Sequence, residues 1–127
     1  MPNKKPLTTI LTIIAILVLA GIVWWYYPTK NGTATLTWNA NTESNLAGYK
    51  IYYGTSPRNN NCPPGGYSDT IDAGNVTKYV LNKLTDGKTY YFSITSYNTA
   101  KKESCFSEEG KKNIPVSSKT DRLKSLF

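Results

Sequence analysis

Histidine is absent from this 127-residue chain, and only two cysteines and one methionine are present. Without imidazole there is no Ser-His pair, no histidine general base and no histidine metal ligand. Two cysteines cannot supply the four ligands of a structural zinc site. They also lack the CxxC spacing that usually accompanies a redox-active thiol. Acidic residues are scarce, eight against fifteen Lys and Arg. Glu43, Asp69, Asp72, Asp86, Glu103, Glu108, Glu109 and Asp121 fall mostly in turns or on solvent-facing positions. No two of them read as the facing carboxylates that glycoside hydrolysis needs, and Glu43, Asp69 and Asp72 do not follow a calcium-loop spacing. The expectation is a non-enzymatic module without a cofactor or metal, confined by its length to a single domain.

Charge is missing altogether from Leu7 to Tyr27, LTTILTIIAILVLAGIVWWYY, a run of 21 residues of which eleven are Leu, Ile or Val. As a helix it would rise roughly 31 Å, close to the ~30 Å hydrocarbon thickness of a bilayer. Trp24, Trp25, Tyr26 and Tyr27 close it with rings suited to the headgroup layer, and Lys4 and Lys5 precede it. Positive charge stays cytoplasmic, so this pattern predicts a signal-anchor with residues 1–6 inside and everything after residue 27 outside. A cleaved signal peptide is the competing reading, because Val18-Leu19-Ala20 offers small or short residues before a cleavage site after Ala20. Against it, the apolar run continues for seven residues beyond Ala20 and ends in the aromatic cluster.

Residues 28–33, PTKNGT, read as a linker, and 34–113 as the globular part. Outside the apolar run no segment holds a helical stripe. Ala34, Leu36 and Trp38 alternate with Thr35 and Thr37, and Tyr49, Ile51 and Tyr53 alternate with Lys50 and Tyr52. Tyr79 and Leu81, then Tyr90, Phe92 and Ile94, repeat the period of two that marks half-buried strands. Turn residues separate them at Asn39–Thr42, Gly54–Pro57, Gly74-Asn75 and Asp86-Gly87. Short strands at such spacing predict an all-β antiparallel sandwich.

On these residues the stretch from Leu36 to Glu109 resembles a fibronectin type III domain, an immunoglobulin-like sandwich, of the form common in bacterial surface and secreted proteins. Trp38 falls at the strand-B tryptophan, and Ala47 to Pro57 resembles strand C. Tyr79-x-Leu81-x-x-Leu84, Asp86-Gly87 and Tyr90-x-Phe92-x-Ile94 resemble strand E, the E–F corner and strand F. Tyr90 would then be the corner tyrosine, with its hydroxyl on upstream backbone. Asn98 matches the close of strand F, and Phe106 to Glu109 resembles strand G. Two features depart from the pattern: Ala100-Lys101-Lys102 replaces the usual glycine of the F–G loop, and an Arg-Gly-Asp is absent. So little chain precedes strand B that strand A is expected to be short or missing, leaving a sheet edge covered by the linker or by a partner.

Within this frame Cys62 lies in an insertion after strand C and Cys105 at the start of strand G. Two cysteines in one extracytoplasmic domain are expected to pair as a structural staple. Tyr52, Tyr91 and Tyr97 have the parity opposite to the core tyrosines, so they form the candidate binding face, suited to sugar rings or a protein. Lys101, Lys102, Lys111 and Lys112 are the candidate basic patch, matched to anionic surfaces rather than to nucleic acid. Residues 114–127 read as a flexible tail with apolar Leu123, Leu126 and Phe127. Together these features predict a membrane-anchored, single-pass module that holds a protein or carbohydrate partner at the cell surface. The alternative is a secreted module that binds polysaccharide.

Overall fold

The described chain forms six strands: β1 Gly32–Thr37, β2 Leu46–Gly54, β3 Asp69–Gly74, β4 Lys78–Leu84, β5 Thr89–Asn98 and β6 Gly110–Asn113, of which β1, β2, β4 and β5 hold the alternating segments. The structure, a computed structural model, describes residues 30, 32–62 and 64–116. The anchor expected over 7–27 lies outside the described residues. Among the described residues no helix is long and apolar enough to cross a membrane.

The strands form two antiparallel sheets, β1-β4 and β3-β2-β5-β6. Their inner faces meet in a core of Ala34, Ile51, Leu81, Leu84, Phe92 and Ile114, with Leu36, Trp38, Tyr53, Ile71, Ala73, Tyr79, Tyr90 and Ile94 packed around it. Along β1 and β2 the core side chains alternate with outward ones, which fixes register, since a one-residue slip would turn the core residues outward. Trp38 packs edge-on to Tyr49 at 5.5 Å, and the Tyr49 hydroxyl accepts the Asn41 N–H at 2.7 Å. At the β4–β5 corner the Tyr90 hydroxyl accepts the Thr85 N–H at 3.1 Å, the backbone tie expected of a corner tyrosine.

Several boundaries differ from those read in the sequence. β1 begins at Gly32, inside the stretch read as linker, and among the described residues no strand pairs with its other edge. Leu81 and Leu84 are three residues apart yet both buried, because β4 carries a bulge in which Lys83 adopts φ 60°. Ile114, assigned to the tail by composition, is a core residue at 1% exposure, held by its N–H on Lys88 O and by its carbonyl on Gly87 N–H. The last strand is also displaced. Continuous pairing with β5 falls at Gly110–Asn113 rather than at Phe106–Glu109. Upstream, Glu103 bridges Tyr97, and the Ser104 and Ser107 N–H groups bond Ser96 O and Ile94 O.

Candidate functional site: the outer face of the four-stranded sheet

In β2 and β5, Lys50, Tyr52, Tyr91, Ser93, Thr95 and Tyr97 have the parity opposite to the core, so they occupy the outer face of the larger sheet. Solvent does not cover that face. β3 and β6 form its two edges, and segment 55–68 has only to join β2 to its neighbour β3. Instead the segment crosses β5. Arg58 Nη1 reaches Ser93 Oγ at 3.0 Å and also Ser107 O. Asn61 O accepts the Phe106 N–H, and Cys62 is bonded to Cys105 with the Cα atoms 4.8 Å apart. The expected staple therefore exists, and it pins a strap across the sheet to the chain beyond β5.

Under the strap lies a second apolar cluster. Phe106, 8% exposed, takes the Tyr52 ring at 5.0 Å and the Tyr67 ring at 5.4 Å, both edge-on, with the Arg58 guanidinium 5.6 Å from its centroid. Such edge-to-face pairs add about 0.5–1.5 kcal/mol each beyond area burial.

Two carboxylates organise the polar groups around this cluster. Glu103 accepts hydrogen bonds from Tyr52 Oη at 2.6 Å, Lys50 Nζ at 2.9 Å and the Thr95 hydroxyl. Burial raises its pKa, but those three donors and the Lys50 charge outweigh it and hold the carboxyl below its usual value. Burial, and then the bond to Glu103, push the Tyr52 phenol well above the ordinary tyrosine range. Glu109 accepts the Arg58 N–H at 2.8 Å and the Tyr67 hydroxyl, which also lies 3.0 Å from Ser93 Oγ. Burial opposes ionisation of Glu109 too, and again the donors prevail and lower its pKa. Tyr67 is pushed up to about 12 by burial and by its bond to Glu109. At the far end Tyr97 Oη donates to Asp72, whose pKa is lowered by the Gly74 N–H and then by Tyr97.

Each residue singled out in the sequence now has a place. Tyr52 and Tyr97 lie on the outer face as their parity implied, but the first is packed under Phe106 and the second is 8% exposed between Lys50 and Lys101. Neither offers a free ring. Tyr91 is half-exposed, opposite Gly54 and Lys111, and it is the member of the trio open to a ligand. The four lysines form two groups. Lys111 and Lys112 pair with Tyr91 and Tyr90, whereas Lys101 and Lys102 follow Asn98. Seven residues of β5 separate these positions, roughly 24 Å at strand rise. Sequence reasoning missed Arg58, Tyr67, Phe106 and the two glutamates as a unit. An arginine and a tyrosine flanking a cysteine inside a long insertion were the available signal.

Grooves of about 200, 310 and 320 Å³ are among those that indent the described surface. The larger two stand at the bottom of the ~300–1,000 Å³ range of small-molecule sites and the first falls below it.

The model of the fibronectin type III domain family matches residues 27–109. A Kelch domain-containing protein of Saccharolobus solfataricus is 40% identical over 73 residues, covering 58% of this chain and 9% of that protein. A second one, of Sulfurisphaera tokodaii, is 36% identical over 69 residues, covering 54% of this chain and 8% of its own length. The chain thus spans less than a tenth of the curated relatives it matches. A solved structure described as that of a myokine is 16% identical, covers 68% of this chain and 86% of its own, and superposes with a TM-score of 0.48.

Proposed function

Since this chain belongs to the fibronectin type III domain family, we propose that it is a non-catalytic interaction module, anchored through residues 7–27 and displayed outside the cytoplasm to hold a protein or glycan partner near the membrane. One observation carries the reading. A 21-residue uncharged run with a basic flank and an aromatic close is followed, four residues later, by the first strand of a disulfide-closed sandwich. A disulfide in so small a domain fits an oxidising compartment. The carboxylates of the outer face support a binding role, because Glu103 is taken up by Lys50, Tyr52 and Thr95 of the sheet and Glu109 by Arg58 and Tyr67 of the strap, rather than presented to a substrate. In the two Kelch domain-containing relatives the matching stretch is a small part of a long chain, as befits a module that serves a larger protein.

Alkaline washing of membranes from cells that make the protein tests the anchor. Retention in the pellet is expected, and quantitative release contradicts it. Val18-Leu19-Ala20 keeps a second reading in play, a secreted polysaccharide-binding module cleaved after Ala20. Released protein beginning at Gly21 would establish that reading instead.

A further inference from the structure

Both ends of the described chain meet at one pole of the sandwich. β1 starts there at Gly32, opposite Leu84, and a Cβ placed on Gly32 would fall 2.2 Å from the Ile114 side chain. Ile114 in turn is hydrogen-bonded to Gly87 and Lys88, and Val116, 71% exposed, lies against Gly87. A sandwich entered through a full strand A would have its ends at opposite poles. Among the described residues β1 comes first, and its start sits beside the finish of β6.

The composition of that pole is distinctive. Lys30, Lys83, Lys88, Lys111 and Lys112 are all exposed and all belong to it, against the carboxylates of Asp69 and Asp86. The far pole sets Lys78, Lys101 and Lys102 against Glu43 and Asp72. Tyr91, half-exposed beside Lys111, and Val116 add an amphipathic ring and an apolar side chain to the basic end. Lysines interspersed with a tyrosine and one exposed aliphatic, Val116, match the layer where lipid headgroups meet water.

We propose that this pole is a membrane-facing surface that binds anionic phospholipid headgroups and seats the domain directly on the bilayer. The proposal rests on the anchored reading above. From Tyr27 to Gly32 the chain can extend at most about 18 Å, so an anchor ending at Tyr27 brings the pole to the membrane surface. The potential of an anionic leaflet decays over a Debye length of about 8–10 Å, a comparable distance. Seating by this pole would leave the strap to one side and turn the far pole, with Glu43, Asn98 and Lys101, toward the partner.

The test uses the full chain in vesicles of phosphatidylcholine alone or mixed with phosphatidylglycerol, labelled from outside with an impermeant amine reagent and read by mass spectrometry. On anionic vesicles, labelling of Lys83, Lys88, Lys111 and Lys112 is expected to slow at least about threefold relative to Lys78, Lys101 and Lys102 of the same molecules, and high salt should erase the difference. Equal labelling at both poles overturns the proposal. Alkaline washing of the same vesicles reads the anchor separately. Pole protection on protein that washes off leaves the basic surface standing and removes the anchor, whereas retained protein labelled evenly removes the basic surface and leaves the anchor.

Discussion

Glu103 joins three elements at one carboxylate: Lys50 and Tyr52 of β2, Thr95 of β5, and the chain that follows β5. Removing it leaves two hydroxyls of a half-buried face without their acceptor. Glu103→Ala is therefore expected to lower stability by about 2 kcal/mol, read from denaturant unfolding. Lys50, whose side chain is 34% exposed, contributes a partly screened ion pair, and Lys50→Met is expected to cost under about 1 kcal/mol. The pH dependence has a definite sign. Glu103, Glu109 and Asp72 all have pKa values below their ordinary ones in the folded state. Their stabilisation is complete above the ordinary carboxylate pKa and is lost as pH falls through the lowered values. Glu103→Gln should flatten that acid limb. Tyr67 acts at the other extreme: its contribution holds below pH 10 and is lost as pH rises toward about 12. Tyr91→Ser, by contrast, trims a half-exposed side chain opposite Gly54 and Lys111 and should change stability by less than about 1 kcal/mol.

At the scale of the element, the strap over 55–68 is the feature that separates this sandwich from a bare pair of sheets. The Cys62–Cys105 bond closes 43 residues of chain separation, which on the loop-entropy account stabilises by about 4 kcal/mol. Substituting both cysteines by serine should lower the unfolding free energy by roughly that amount. Amide exchange should then accelerate along 55–68 and 103–109 before it does in β2 or β5. Equal exchange in both regions would show that the strap has no independent opening. The core strands could be read in the sequence because Leu36, Ile51, Leu81 and Phe92 alternate with polar neighbours, and parity alone placed Tyr52, Tyr91 and Tyr97 outward. β3 and β6 resisted such reading for a physical reason. Both are edge strands, and DTIDAG and GKKN bury too little apolar surface to impress a period on the sequence. The strap was illegible because Arg58–Ser93 and Tyr67–Glu109 join residues far apart in the chain. Nothing local marks Ser93 as covered rather than exposed. Lys101 and Lys111 are ten positions apart in sequence and stand at opposite ends of a sheet, a separation created by pairing alone.

For the whole molecule the two ends of the described chain at one pole, the basic surface around them and the apolar run upstream all favour a domain held close to a bilayer with its far pole presented outward. The account stands or falls on whether residues 1–20 remain attached and whether the cysteines are bonded in the protein's own cells. Intact mass of the protein recovered from the membrane fraction, with and without reductant, answers both. The expected result is a mass that still includes residues 1–20, lighter by two hydrogens until reduced. A mass lacking the residues up to Ala20, or one that reductant does not change, would contradict it.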